Sequence, residues 1–257
     1  MIEARELSKS FRVKGGQRLR AVEGVTFTCR PGEIFGLLGI NGAGKTTTLR
    51  MLATLLTPTG GEGRICGFDI GREPEEVRRR IGFLSTATAL YGRLTGLEVV
   101  NYFGRLHGMT EEKLAARREE LFTALGIHEF QDRRCDQCST GMKQRISIAR
   151  SLIHDPEVMI FDEPTLGLDV LAARQITRFI RDCRERGKTV LFSTHVMSEV
   201  AKLCDRVAII HRGAVRDAGG VGELAERHGV DDMEEIFVRA VGETANVVSV
   251  ASGEDVS

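Results

Sequence analysis

One stretch, Gly39-Ile40-Asn41-Gly42-Ala43-Gly44-Lys45-Thr46-Thr47, constrains the chain more than any other. It follows the apolar run Ile34-Phe35-Gly36-Leu37-Leu38, which reads as a buried strand, and it precedes residues with helical spacing from about Thr46 to Leu55. Gly39, Gly44, Lys45 and Thr46 fit the phosphate-binding pattern G-x-x-x-x-G-K-[ST]. Glycines let a backbone wrap closely around a polyphosphate with its N–H groups turned inward. The helix that starts here adds the positive end of its dipole. Lys45 can reach the β- and γ-phosphates, and the Thr46 hydroxyl can ligate Mg²⁺. A glycine-rich turn alone would not carry strand, loop, lysine, hydroxyl and helix in this order.

The 257 residues are enough to bury a sizeable core, as one large domain or as a domain with a subdomain. Strand-like and helix-like segments alternate, which argues for an α/β fold. Lysine plus arginine equals aspartate plus glutamate, 36 each, so no global charge points to nucleic acid. No apolar run approaches the roughly 18 residues of a membrane span. The start, Met-Ile-Glu-Ala-Arg-Glu, has no apolar signal region. The expectation is a cytoplasmic chain, reaching a membrane only through a partner. The 6 cysteines are scattered, as expected of free thiols in a reducing compartment. Cys135 and Cys138 form a C-x-x-C that lacks a second ligand pair for zinc and a thioredoxin-like context.

A second apolar strand, Val158-Met159-Ile160-Phe161, ends on Asp162-Glu163. In a parallel sheet the carboxyl ends of the strands face the ligand crevice. Asp162 is therefore a candidate Mg²⁺ ligand, and Glu163 a candidate to polarise an attacking water. His195 follows a third buried strand, Thr189 to Phe192, and should face the same crevice as a γ-phosphate contact. Phe11 ends a first strand, Ile2 to Phe11, where its ring could stack on an adenine; a core phenylalanine is the competing reading.

The intervening sequence predicts an antiparallel partner strand at Ala21 to Cys29, a short strand within 63–67 and a helix over Pro74 to Arg80. Ile81 to Leu84 reads as another strand. A mostly helical insertion runs from about Ser85 to Gln137, with Thr95 and Thr110 as helix caps. Ser139 opens a helix that Asp155-Pro156 stops, and a further helix spans roughly Val170 to Glu185. Val207 to Ile210 and Ala214 to Ala218 read as a β pair, followed by two short helices. From about Glu243 the small, polar-rich sequence is expected to fray.

Taken together, these residues resemble the ATP-binding subunit of ABC transporters. The likeness spans about residues 2 to 240 and rests on five motifs in order. They are the Gly39–Thr47 loop, Ser139-Thr140-Gly141-Met142-Lys143-Gln144, Ile160-Phe161-Asp162-Glu163-Pro164, Gly167-Leu168-Asp169 and His195. The resemblance implies a P-loop NTPase fold: a mainly parallel sheet core, an antiparallel β subdomain and a helical signature subdomain inserted at about 85–155. It implies ATP and Mg²⁺ as cofactors, a membrane-spanning partner subunit, and a second ATP-binding subunit arranged head to tail. The phosphate loop of one copy would face Ser139 and Gly141 of the other across the nucleotide. Phe11 matches the family's adenine-stacking aromatic position.

Two positions depart from the family. The signature usually reads Leu-Ser-Gly-Gly, and here it is Cys138-Ser139-Thr140-Gly141. After Ile81-Gly82-Phe83-Leu84 the family usually has Pro-Gln, and here Ser85-Thr86 stands, which shortens the reach of any oxygen toward Mg²⁺. The segments Phe83–Thr86, Leu90–Thr95 and Tyr102–Gly108 look most like sodium-extrusion (NatA-like) exporter subunits. A multidrug exporter is the alternative. A soluble ABC protein of translation or DNA repair usually carries paired cassettes or long insertions, which this chain lacks. A regulator without turnover would have no use for Glu163.

Overall fold

The computed structural model describes residues 1–12, 16–85 and 89–242. Lys14 and Gly15, the first half of a turn that the sequence Lys14-Gly15-Gly16-Gln17 suggests, the Thr86 position and the expected frayed tail from Glu243 lie outside the described residues. The buried run Ile34–Leu38 forms β3, an inner strand of a six-stranded sheet. Its neighbours are β8 (Thr189–Thr194) and β9 (Arg206–His211), both parallel to it. Beyond β8 lie β7 (Val158–Asp162) and β6 (Ile81–Leu84), also parallel, while β10 (Ala214–Gly220) closes the other edge antiparallel to β9. Both faces are covered, so these strands read as continuous apolar runs rather than alternating ones.

A four-stranded sheet stands apart, in the order β2 (Arg18–Cys29), β1 (Ile2–Arg12), β4 (Gly60–Ile65) and β5 (Phe68–Asp69). The described pairings in it are antiparallel. Helix α1 (Lys45–Leu52) lies between the two sheets, and its Leu49, Met51 and Leu52 share one core with Leu7, Phe35, Ile160 and Leu191. On the other face of the large sheet, Met159, Phe161, Val190 and Phe192 pack with the helical layer. The period-two alternation of strand side chains assigns neighbours such as Ile160 and Phe161 to opposite cores.

That layer holds α3 (Gly96–Leu106), α4 (Glu111–Leu125), α5 (Thr140–Leu152) and α6 (Val170–Glu185). Thr95 caps α3 in a reciprocal box: Glu98 N–H donates to its hydroxyl at 3.1 Å, and Thr95 N–H donates to the Glu98 carboxylate at 2.8 Å. Thr110, Ser139 and Asp169 cap the following three helices. Helix α2 (Pro74–Arg80) precedes β6, and α7 (Met197–Leu203), α8 (Val221–His228) and α9 (Met233–Val241) complete the chain.

Strand β2 begins at Arg18 rather than Ala21 and β8 runs on to Thr194, and two further boundaries differ from the sequence expectation for a clear physical reason. The helix after the loop stops at Leu52 rather than near Leu55, because Thr54 turns to φ +61°. The strand expected within 63–67 begins at Gly60. Gly60-Gly61 looks like a chain break, yet Gly61 has φ +76°, and a Cβ there would stand 2.1 Å from Glu6 O. Those glycines let β4 pass a register shift against β1.

Candidate nucleotide site

Three adjacent parallel strands end together. Beyond β3 comes the glycine-rich loop, beyond β8 comes His195, and β7 ends at Asp162 with Glu163 next. The register sets Leu38 beside Thr194 and Asp162 beside Ser193. Gly39 permits a close approach, since a Cβ would lie 2.4 Å from Ile210 O. At Gly44 the backbone sits at φ +106°, and a Cβ would meet Ala21 O at 2.7 Å. Only glycine relieves both constraints.

Lys45 is buried beneath the loop. Its ammonium donates to Gly39 O at 2.7 Å and Ile40 O at 3.2 Å, and it lies 3.2 Å from Glu163 Oε1. The other Glu163 oxygen, Oε2, accepts from His195 Nδ1 at 2.8 Å. Glu163 adopts φ +49°, an uncommon conformation for a residue with a side chain. Its N–H donates to Ser193 O at 3.2 Å and to Ser193 Oγ at 3.1 Å, which secures that backbone.

Asp162 is buried, with Oδ1 accepting from Ser193 Oγ at 2.7 Å and Thr46 Oγ1 at 3.0 Å. Its Oδ2 is equally buried and has no hydrogen-bond partner. A buried carboxylate oxygen without a partner is costly unless a cation takes it. The donor set, one carboxylate and one hydroxyl, suits a hard ion that draws its other ligands from phosphate and water. Among the described residues no cluster of three or more His, Cys, Asp or Glu could hold a metal by itself. The residues present therefore fit Mg²⁺ bound jointly with a polyphosphate.

Phe11, Asn41, Gly42, Ala43, Gly44, Lys45, Thr46, Thr47 and Glu163 line one cleft of about 360 Å³ with Leu19 and Ala21. The structure thus brings Phe11 to the loop. Ile40 is exposed and is not among the lining residues. Ser139, Thr140 and Gly141 are also outside that cleft. Ser139 is exposed at the N-terminus of α5, accepting from Met142 N–H at 3.2 Å. Gly141 packs on α6, where a Cβ would be 3.3 Å from Ala172 Cβ.

Three further residues hold the site in roles that the sequence reading did not assign. Ser193 joins Asp162 to the Glu163 backbone. Glu199 accepts from Thr194 Oγ1 at 2.6 Å and from Thr165 Oγ1, tying β8 to the loop beyond Glu163. Gln144 Nε2 donates to Pro164 O at 2.7 Å, linking α5 to that same loop. The position of Ser193 directly after an apolar run was a usable signal, because a parallel neighbour sets its residues level with Asp162.

Comparison with known proteins agrees with this geometry. The family described as ABC transporter matches residues 22–166. The chain is 43% identical over 239 residues to the ABC transporter ATP-binding protein NatA of Bacillus subtilis (strain 168), covering 93% of this chain and 97% of that protein. It is 34% identical over 252 residues to the linearmycin resistance ATP-binding protein LnrL of the same organism, covering 98% and 79%. A solved dimeric structure of the ATP-binding cassette MJ0796, in a post-hydrolysis state with ADP and Pi, superposes with a TM-score of 0.78 at 26% identity, over 86% of this chain and 98% of that one. With the phosphate loop, the acidic strand end and the capped α5 in one fold, the chain belongs to the ABC transporter family, as an ATP-binding subunit and ATPase.

Proposed function

We propose that this subunit powers sodium-ion export through a separate membrane subunit, working as a head-to-tail pair with two ATP molecules between the copies. The observation that carries the reading is the 43% identity to NatA across nearly the whole of both chains. It agrees with the local likeness at Phe83–Thr86, Leu90–Thr95 and Tyr102–Gly108.

In this reading Phe11 stacks on adenine, and the 39–47 loop wraps the phosphates with Lys45 facing the β- and γ-phosphates. Thr46 and Asp162 would hold Mg²⁺, which supplies charge neutralisation at the transferring phosphoryl group. Glu163 orients the attacking water and accepts its proton, while His195 contacts the γ-phosphate and holds the Glu163 carboxylate in place. The Ser139 hydroxyl, the first N–H groups of α5 and Gly141 would reach the nucleotide of the other copy. A dimeric cassette in a post-hydrolysis state supports that arrangement. Thr140 is exposed beside Ser139, where its side chain narrows the approach of a phosphate.

The membrane partner would dock around Tyr91 to Met109. Tyr91, Tyr102 and Leu106 are exposed there, and Tyr91 and Tyr102 meet edge to face with ring centres 6.5 Å apart. Large exposed apolar residues grouped in one region suit a protein interface. Among the described residues no helix is long and apolar enough to cross a membrane, in keeping with attachment through a partner.

Deleting this subunit with its membrane partner should raise cellular sodium under salt stress. Normal sodium with accumulation of an organic drug would instead support a drug exporter, the second reading, which the likeness to LnrL favours.

A further inference from the structure

Behind the Phe11 ring lies a second cleft, of about 670 Å³, which the nucleotide reading leaves unused. The strand period separates the two. Phe11 and its cross-strand partner Leu19 line the phosphate-loop cleft, whereas Ser10, Arg12, Arg18 and Arg20 line the second; Phe11 borders both.

Its charge is unbalanced. Arg12 stands directly opposite Arg18 in the antiparallel pair, and Ser10 opposite Arg20. Like charges opposite one another destabilise a ladder. Arg20 is matched by Glu23 at 2.5 Å, but among the described residues Arg12 and Arg18 have no hydrogen bond or ion pair through their side chains. Ser10 Oγ is likewise without a partner. The wall behind them is fixed: Thr59 Oγ1 donates to Ser8 O at 3.1 Å and accepts Ser10 N–H at 3.2 Å. Two guanidinium forks and a hydroxyl on one rigid face match a multiply charged oxyanion, which guanidinium binds in a bidentate manner. The volume falls within the roughly 300–1,000 Å³ of small-ligand sites.

We propose that this cleft binds a small free oligophosphate, separate from the nucleotide of the phosphate loop. Such a ligand would bridge Arg12 and Arg18 and so stiffen the hairpin that carries Phe11.

The test is a calorimetric titration of pyrophosphate, in low-chloride buffer, into full-length Lys45→Ala, in which the phosphate loop is weakened. The same titration is repeated in Lys45→Ala combined with Arg12→Gln and Arg18→Gln. The first should bind one equivalent, and the second at least about tenfold more weakly, since two charge-assisted hydrogen-bonding groups are removed. Arg→Gln removes like-charge repulsion from exposed positions, so the thermal midpoint without pyrophosphate should hold or rise, which certifies folding. Arg12→Gln/Arg18→Gln with Lys45 intact should keep ATP affinity within about threefold, separating this proposal from the nucleotide assignment. Equal pyrophosphate binding in both Lys45→Ala chains, or none in the first, overturns the site. Phosphatidylglycerol vesicles that bind through the two arginines while pyrophosphate is silent would also overturn it, by assigning the charge to a membrane headgroup.

Discussion

Lys45 Nζ and Glu163 Oε1 stand 3.2 Å apart, joining the loop after β3 to the acidic end of β7 across the strand between them. Both side chains are largely enclosed, at 4% and 12% exposure, so the pair is poorly screened. The second Glu163 oxygen accepts from His195, which makes a chain of three: Lys45, Glu163, His195. A γ-phosphate entering the loop would compete with Glu163 for the lysine. The carboxylate would then stand beside the phosphate, held by His195. In the proposed reading, binding and water activation would thereby be coupled through one side chain.

Replacing Lys45 with alanine removes the loop's buried cation facing that carboxylate. ATP affinity should fall by about ten- to a hundredfold for each charge-assisted hydrogen bond that the lysine makes to the phosphates. Calorimetric titration with ATP and Mg²⁺ measures it. Unchanged affinity would remove this loop from nucleotide binding.

Asp162 Oδ2 is buried without a partner, and Thr46 Oγ1 lies 3.0 Å from the other oxygen of that carboxylate. Chelating Mg²⁺ should stop phosphate release, and restoring it should recover activity. Asp162→Asn should lose most of the Mg²⁺-dependent gain in ATP affinity while keeping Mg²⁺-free binding within a few-fold. An asparagine variant with a full Mg²⁺ response would exclude Asp162 as a ligand.

Ser193 is a positioning residue, since its hydroxyl donates to Asp162 and receives the Glu163 N–H. Ser193→Ala leaves both without that partner, at a cost of about 1–3 kcal/mol in stability. The φ of +49° at Glu163 would be less restrained, so kcat should fall more than KM rises. Wild-type kcat in a folded Ser193→Ala protein would show that this restraint is dispensable.

The elements that the sequence made plain are those with one dominant local cause. The loop pattern located β3 and α1, and Asp155-Pro156 stopped α5 where expected. Thr95 and Thr110 were readable as caps because each precedes acidic first-turn residues. What stayed hidden depends on distant partners. The start of β4 at Gly60 needs Glu6 across the sheet, and the short β5 exists through pairing with Arg64 and Ile65. In the site, the strand ends exposed Asp162, Glu163 and His195 to inspection. Ser193 could have been found from its place directly after an apolar run, whereas Glu199 acts through hydrogen bonds to Thr194 and Thr165 that no local pattern announces.

His154 supplies a pH dependence unrelated to turnover. Its ring stacks on His107 at 3.9 Å, its Nε2–H donates to Ile81 O at 3.0 Å, and its Nδ1 is buried without a partner. Burial, with His107 adding a smaller contribution, lowers its pKa from 6.5 to about 4. A lowered basic pKa means that the unfolded chain binds the proton more readily. Stability from this group is therefore intact above about pH 6.5 and is lost as pH falls toward 4, by about 3 kcal/mol in all. Urea unfolding across that range should show the slope in the wild type and a flatter one in His154→Gln. An identical slope in the variant would assign the acid lability elsewhere.

The central claim, that Glu163 activates water at an ATP site closed by two copies of the chain, is tested most directly in Glu163→Gln. Glutamine keeps the shape but removes the basic charge and the ion pair to Lys45. Loss of a general base costs roughly two to four orders of magnitude in rate. ATP that is bound but not hydrolysed continues to favour the associated form by mass action. Phosphate release should therefore fall by at least about a hundredfold, while size-exclusion chromatography in ATP shows a dimer that Ser139→Arg abolishes. Wild-type phosphate release by Glu163→Gln, or a dimer that survives Ser139→Arg, would contradict the account.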